Sequence, residues 1–319
     1  MRQATLVWTT WQALLGHFAW AFTRPGYRRF VEWVTALALN VEEHTITQSV
    51  TAIERPADWK AMESFAEYGA WRAEHLTRSL ARLVEVAPGR IWHGSHVSAV
   101  DDTKVHRSGE HVWGTCTFHE YTARCPNRAT TVRAHNWVVL GALLQDADQP
   151  AWFLPISGRL YFRKSQLPAR RGAAGPKEAF RTKCELAVDL VREPARIIGG
   201  SHLAAFDGGF ALGSVVRPLV APDAGPPRIE FLTRLRHDAR LYAPLPERHR
   251  PNQKWGKRPP PPRPGGRWTR GWQRGHAFLY GRRREVLWKE VVCLWRVSGH
   301  QVPVHVLHPL STASLALRR

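Results

Sequence analysis

Residues 99–103 read A-V-D-D-T, and residues 205–209 read A-F-D-G-G. In both stretches a short run with strand character, His96–Val100 or His202–Phe206, leads into a carboxylate. A carboxylate at a strand end can ligate a divalent metal, because hard cations prefer oxygen ligands. Two such metals, about 4 Å apart, support attack on a phosphodiester. The alternative is that each aspartate is a turn residue that caps the next helix.

The segments around these two stretches predict an α/β fold. Up to residue 87 the apolar residues recur at helical steps, beginning with Trp11, Leu14, Leu15, Phe18 and Phe22. Beyond residue 88, strand-like runs at Trp137–Leu144, Trp152–Ile156 and Ile229–Leu235 alternate with a helical pattern over Lys177–Arg192. This alternation predicts a layered structure with a mixed sheet.

The charge balance points to a polyanionic partner. The 319 residues carry a formal net charge of +20, with a sequence pI near 10.9. Such an excess favours nucleic acid first and an anionic membrane surface second. We expect no membrane span, because no uninterrupted apolar run of about 18 residues occurs. Four scattered cysteines suit a reducing cytoplasm.

The basic charge is concentrated in residues 243–284. Between Glu247 and Glu285 there are twelve Lys or Arg and no acidic residue, with three Trp interleaved. Lysine and arginine neutralise phosphates and tryptophan can stack on exposed bases, so we predict a DNA-binding loop. The alternative is a solvated loop whose charge only aids solubility. The residues predicted to contact nucleic acid are Arg248, Arg250, Lys254, Lys257, Arg258, Arg263, Arg267, Arg270 and Arg274.

Four segments together carry a resemblance to a known family. They read V-D-D-T-K-V-H-R-S-G, F-D-G-G-F-A, V-V-R-P-L and R-I-E-F-L-T-R-L-R. In this order and spacing the chain resembles, over about residues 5–305, the DDE transposases of bacterial insertion sequences. The resemblance implies a helical DNA-binding domain over 1–87 and an RNase H-like catalytic domain over 88–319. It also implies a β-rich insertion after Asp207.

The resemblance also implies a metal site. Asp207 matches the second metal ligand, and Asp101 or Asp102 matches the first. The pattern D-x-T favours Asp101, which we take as the metal ligand together with Asp207, whereas members that place the ligand directly before Thr favour Asp102 as the alternative. Neighbouring strand residues face opposite sides, so only one of them can point at the metal. The implied cofactor is a pair of Mg²⁺ ions, with Mn²⁺ as a substitute, and the implied partners are transposon-end DNA and a second copy of the chain. Such a protein would act in the cytoplasm, on the nucleoid.

The third carboxylate of the family is missing from its expected pattern. That pattern is a helix of the form Y-x-x-R-x-x-x-E-x-x-x-x-x-x-K, which Tyr280, Arg284, Glu285 and Glu290 match only superficially. Because Val286–Val297 alternates like a strand, we predict that the catalytic Glu is absent and the chain truncated. The resulting hypothesis is a transposase that cleaves and joins DNA, or its inactive remnant. A non-catalytic nucleic-acid-binding protein and another RNase H-like nuclease are the alternatives.

Overall fold

The computed structural model describes most of the chain. The described residues are 2–42, 45–109, 111–120, 131–145, 151–167, 179–220, 225–235, 239–247, 249–258, 273–279, 282–288, 290–297, 300–307 and 310–311. The chain divides into two compact units. The first is formed by Met1–Ala205 with Gly225–Phe231, and the second by Phe206–Ala224 with Leu232–Arg319.

The first unit begins with five helices, as the apolar spacing predicts. They are α1 (Arg2–Gly16), α2 (Arg24–Leu39), α3 (Ile46–Ala52), α4 (Trp59–Tyr68) and α5 (Ala73–Val86). The side chains of Thr23 and Thr45 cap α2 and α3 by accepting hydrogen bonds from backbone N–H groups of the first turn. Helices α2, α3 and α4 pack on one another. The domain boundary predicted at residue 87 stays a prediction.

A seven-stranded mixed sheet follows the helices. Its strands are β1 (Ile91–Trp92), β2 (Ser95–His106), β3 (Cys116–His119), β4 (Thr131–Leu144), β5 (Trp152–Tyr161), β6 (His202–Phe206) and β7 (Ile229–Thr233). The order is β3-β4-β2-β6-β7, with β1 on β2 and β5 on β4. Strand β4 is antiparallel to β2, β3 and β5. The predicted α/β architecture with N-terminal helices and a mixed sheet is confirmed.

Helix α6 (Lys183–Ile198) covers one face of this sheet and connects β5 to β6. It begins at Thr182, whose side chain forms a capping box with Glu185. The helix starts six residues later than Lys177, so Phe180 lies outside it. The helix packs against β4 and β5, and its buried residues are all apolar, namely Leu186, Ala187, Val188, Leu190, Val191, Pro194 and Ala195. Helix α5 also packs against α6 and β5, and the Thr77 hydroxyl donates to the Ser157 hydroxyl at 3.0 Å.

The second unit contains helix α7 (Gly213–Val220) and two small antiparallel sheets. One sheet has the order β13-β10-β9 and the other β12-β11-β8. The strands are β8 (Leu241–Tyr242), β9 (Gln273–Leu279), β10 (Arg282–Trp288), β11 (Glu290–Val297), β12 (His300–Leu307) and β13 (Leu310–Ser311). These strands agree with the β-rich character predicted for the region after Asp207.

A pair of stacked histidines joins β2 to β6 inside the first unit. The rings of His96 and His202 lie 5.3 Å apart, and His202 shares a 2.7 Å hydrogen bond with the Gly199 carbonyl oxygen. Burial lowers the pKa of both imidazoles below 6.5, and the Arg90 charge lowers that of His96 further, against a smaller opposing effect of Glu85. Both rings are therefore neutral in the folded protein at neutral pH.

We expect this pair to destabilise the fold in mild acid. Because each folded-state pKa lies below the unfolded value, the unfolded chain takes up more protons as pH falls through about 6.5. The free energy of unfolding should fall by up to about 1.4 kcal/mol per pH unit for each histidine. Urea unfolding at pH 7.5 and 5.5 measures this, with His96→Gln and exposed His106→Gln compared against wild type. An equal pH dependence in all three proteins would contradict the prediction.

Candidate active site

The two adjacent aspartates lie in the middle of a long strand rather than at its end. Strand β2 continues past them to His106, and Asp101 and Asp102 pair with Val139 and Val138 of β4. The prediction of a strand end at Asp101 was therefore wrong. The reason is the pairing of Thr103–His106 with β4, which supplies backbone partners to a segment that looks polar in sequence.

Asp102 projects from the sheet face that α6 covers. Its carboxylate accepts a 2.6 Å hydrogen bond from the Lys183 ammonium, at the start of α6, and a 2.9 Å bond from the Asn136 side-chain amide. Burial raises the pKa of Asp102, but the hydrogen bonds from Lys183 and Asn136 outweigh it and leave the pKa below its ordinary value. The carboxylate is thus ionised at neutral pH and is paired with the Lys183 ammonium.

The side-chain oxygen of Asn136, the residue whose amide donates to Asp102, has no hydrogen-bond donor in the described part of the structure. Asn136 is buried, with 1% of its surface exposed, and its Oδ1 atom accepts no hydrogen bond within the described part of the structure. A buried amide oxygen without a donor is costly and uncommon. The anionic oxygens of Asp102 and the neutral amide oxygen of Asn136 are both ligand types that magnesium and manganese take in proteins.

Asp101 has a different environment. Its neighbour Asp102 occupies the covered face, and alternation along the strand places Asp101 on the opposite face, where it is exposed. One of its oxygens accepts the backbone N–H of Asp102 at 2.8 Å. The structure therefore gives the two candidates for the first ligand distinct surroundings, with ammonium and amide donors at Asp102.

Asp207, in the second unit, directly follows β6 as predicted. Its side chain accepts the Gly209 N–H at 3.4 Å and so caps a short 3-10 helix over Gly208–Phe210. The carboxylate is 59% exposed and lies 4.0 Å from the Arg234 guanidinium. The capping role foreseen as the alternative is thus present, and ligation of a metal by Asp207 stays a prediction.

The two glutamates considered as replacements for the third carboxylate are on strands, as the alternation predicts. Glu285 lies in β10, 4.0 Å from Arg274, and Glu290 opens β11 and pairs with His305. Both are exposed. Among the described residues, no group of three or more His, Cys, Asp or Glu could hold a metal ion.

The basic segment is only partly covered by the described residues. Arg250, Lys254, Lys257, Arg258 and Arg274 are exposed, whereas Arg248, Arg263, Arg267 and Arg270 lie outside the described residues. The described part is anchored, because the Ala243 N–H donates to the Lys257 carbonyl at 2.9 Å. Arg274 is an exception within the predicted loop, since it belongs to strand β9.

Trp255 does not fit the predicted role of a free stacking platform. Its ring lies 4.9 Å from that of Tyr242, and the Arg296 guanidinium lies 5.1 Å from its centroid. The tryptophan therefore packs within the second unit. The other two tryptophans of the segment, Trp268 and Trp272, lie outside the described residues.

Sequence reasoning missed the partners of Asp102. Asn136 stands directly before the apolar run of β4, and nothing in the sequence marks it as a neighbour of the carboxylate. The position of Lys183 in the first turn of α6 could have been predicted, because T-K-C-E at 182–185 is a capping-box sequence that locates the start of this helix. Which strand lies under that helix end depends on tertiary packing.

Comparison with known proteins assigns the family. The model of the DDE superfamily endonucleases matches residues 17–292, which include both aspartate stretches and the sheet between them. The chain belongs to this family. No curated protein matches it. Membership in the DDE superfamily agrees with the helices, the mixed sheet and the central position of Asp102 in that sheet. Within the described residues, no helix is long and apolar enough to cross a membrane.

Proposed function

We propose that the chain is of the DDE transposase type, whose reaction is Mg²⁺-dependent cleavage and strand transfer of DNA at the ends of an insertion sequence, and that this chain keeps the DNA and metal binding of that type without the cleavage. The observation that carries the proposal is the ionised Asp102, held on the central strand of a DDE superfamily endonuclease. We take Asp102 as the first metal ligand and Asp207 as the second. Asp101, which the D-x-T pattern favours, serves as the comparison.

Three features of Asp102 support its role. The carboxylate stays charged, as a ligand for a hard cation must. The Lys183 ammonium at 2.6 Å marks a position that attracts positive charge. Asn136 fixes the orientation of the carboxylate by donating to it and offers a further oxygen. A divalent ion held there would activate a water or a DNA 3′-hydroxyl as the nucleophile and would stabilise the leaving oxygen.

The third carboxylate of the metal-ligand set has no counterpart in this proposal. We propose that neither Glu285 nor Glu290 supplies it, because each is an exposed strand residue with a cationic or imidazole partner of its own. On this proposal the chain binds DNA and one weakly held metal ion but does not cleave. We further propose that residues 1–87 act as a DNA-binding domain and that the protein works on the nucleoid, as a homodimer.

Metal binding by the two adjacent aspartates tests the site. Asp102→Asn should weaken Mn²⁺ binding by at least about tenfold, because even changes behind a metal ligand cost that much. Asp101→Asn removes the same charge one residue away, on the other face of β2, and should stay within about twofold of wild type. The measurement is the free Mn²⁺ signal in electron paramagnetic resonance during titration.

The reverse order of the two variants would move the first ligand to Asp101. If neither variant changes Mn²⁺ binding, the aspartates are structural and the non-catalytic nucleic-acid-binding alternative is favoured. Asp207→Asn belongs in the same series, with an expected loss similar to that of Asp102→Asn. Circular dichroism of each variant establishes that the fold is retained.

A further inference from the structure

A groove lies in the helical part of the first unit, between the start of α2 and the segment that joins α4 to α5. It consists of two adjoining cavities of about 690 and 500 Å³, which share the lining residues Phe22, Thr23, Ala70 and Trp71. Cavities of this size accommodate organic ligands or parts of larger ones. We call it the aromatic groove, because its lining includes Trp20, Phe22, Phe65, Tyr68, Trp71 and His75.

The inner aromatic rings of the groove hold one another in place. The ring of Phe65 lies 6.1 Å from that of Phe22 and 6.3 Å from that of Trp71. The Trp71 indole N–H donates to the Phe65 carbonyl oxygen at 3.3 Å, and Phe22 stacks on Phe30 at 4.6 Å. The lining is therefore ordered before any ligand enters, which lowers the entropy that binding costs.

Each cavity also presents an aromatic side chain to solvent. Tyr68 lines the first cavity and is 75% exposed, and Trp20 lines the second and is 44% exposed. Trp20 is fixed, because its indole N–H donates to the Ser79 hydroxyl at 2.9 Å and its ring lies 5.0 Å from that of His75. Exposed rings beside a groove can stack on the bases of an unpaired nucleic-acid strand. The bases of a duplex are stacked on one another and do not offer their faces in this way.

The charge along the groove is one-sided. Residues 1–87 contain nine Lys or Arg and nine Asp or Glu, so this part of the chain has no formal net charge. Arg24, Arg28, Arg29 and Arg72 nevertheless line the groove, whereas none of the acidic residues that the structure describes does so. This distribution makes the groove complementary to an anionic ligand.

Two of these four arginines have no ionic partner among the described residues. Arg28 and Arg29 contact Glu32 at 3.0 and 2.8 Å, whereas Arg24 and Arg72 are exposed and unpaired. Arg24 also stands in the first turn of α2, which contains no acidic residue. The positive end of the helix dipole disfavours a cation there and favours an anion. Arg24 and Arg72 are thus available to phosphates of a strand that enters the groove.

We propose that the aromatic groove binds an unpaired stretch of a DNA strand, with bases stacked on Tyr68 and Trp20 and phosphates bound by Arg24 and Arg72. Aromatic rings combined with a basic lining are what single-stranded nucleic acid requires, because its bases stack and its phosphates need cations. The proposal rests on the proposed function for the choice of DNA as the ligand. It gives residues 1–87 a binding site that is separate from the basic segment, in which Trp255 packs against Tyr242.

An oligothymidylate of about 12 nucleotides, labelled with fluorescein and titrated against the full chain in EDTA, tests the groove by fluorescence anisotropy. Tyr68→Ala should weaken binding about tenfold, because a stacked base loses its aromatic partner. Tyr68→Phe keeps the ring and should stay within about twofold of wild type. The Arg24→Gln/Arg72→Gln double variant should weaken binding about 10- to 30-fold near 0.1 M salt and flatten the slope of log K against log salt by about 1.4.

Three controls separate a single-strand site from general effects. Arg82→Gln/Arg196→Gln removes two exposed arginines of the first unit that do not line the groove, and should change the affinity less than about twofold. An abasic strand of the same length has phosphates without bases, so Tyr68→Ala should not change its affinity. A duplex of the same length should also bind wild type and Tyr68→Ala equally. Circular dichroism and the thermal unfolding midpoint of each variant establish that the fold is retained.

Two outcomes would overturn the proposal. Equal losses for the oligothymidylate, the abasic strand and the duplex would show that the groove does not select unpaired bases. Unchanged oligothymidylate binding in both Tyr68→Ala and Arg24→Gln/Arg72→Gln would exclude DNA as its ligand and favour another anion, such as an acidic peptide. Because these titrations contain no divalent metal, either failure leaves the Mn²⁺ titrations of the Asp102 and Asp101 variants unaffected. It is therefore distinguishable from failure of the proposed function.

Discussion

Replacing four exposed basic residues of the second unit by glutamine should lower the affinity for duplex DNA by about a thousandfold near 0.1 M salt. The four are Arg250, Lys254, Lys257 and Arg258, which are exposed at the described end of the basic segment. Each phosphate contact releases counterions, so the salt slope should flatten by up to about 3.6. The fluorescence anisotropy of a labelled DNA duplex of arbitrary sequence, titrated across a salt series in EDTA, measures both quantities.

Substitution is the appropriate change because deletion of residues 248–284 would do more than remove charge. Strand β9 and the first three residues of its partner β10 lie inside that interval, and the Ala243–Lys257 backbone bond closes the described part of the segment. The deletion would remove β9 and leave the edge of β10 unpaired, which exposes backbone groups. Glutamine keeps the side-chain length and polarity and removes only the charge.

The matched control replaces by glutamine four exposed arginines outside residues 1–87 and outside the basic segment, namely Arg181, Arg196, Arg217 and Arg228. The net charge then falls by the same amount from its value of +20. If this control loses as much affinity as the segment variant, binding depends on overall charge and the segment has no special role. An unchanged affinity of the segment variant would show that its charges serve solubility alone.

The α/β architecture could be predicted because it depends on local patterns. The apolar run of β4 and the strand that precedes Asp207 are short-range signals, and both are found where the sequence places them. The length of β2 could not be predicted in the same way. Its last four residues, Thr103–His106, are mostly polar and exposed, and they form a strand because β4 pairs with them.

The sequence predicts which residue types form the candidate site, but it does not predict how they are arranged. The sequence marks Asp101 and Asp102 as candidates but does not say which face of β2 is covered. The position of α6 decides that question, because Lys183 at its first turn contacts Asp102.

The chain is expected to leave supercoiled plasmid DNA uncut in Mg²⁺ or Mn²⁺ under conditions in which it binds the DNA. Two-metal chemistry needs a third carboxylate to hold the second ion, and Glu285 and Glu290 are exposed strand residues. Misplacement of the scissile phosphate or the nucleophile costs about two powers of ten per ångström, and loss of an ion adds to that. Samples of the reaction are taken over several hours, and agarose electrophoresis measures the nicked fraction of the plasmid. This detects cleavage far slower than that of an active transposase.

Cleavage by the wild-type chain would contradict this expectation, provided that it depends on the proposed ligands. Asp207→Asn and Asp102→Asn are the controls that exclude a contaminating nuclease, since only an intrinsic activity is lost in them. If intrinsic cleavage is found, Glu285→Gln and Glu290→Gln identify the third ligand. Glu290→Gln removes the partner of His305, so a variant with unchanged stability and no cleavage would assign the role to Glu290 itself. Equal activity in both glutamine variants would place the third carboxylate elsewhere in the chain.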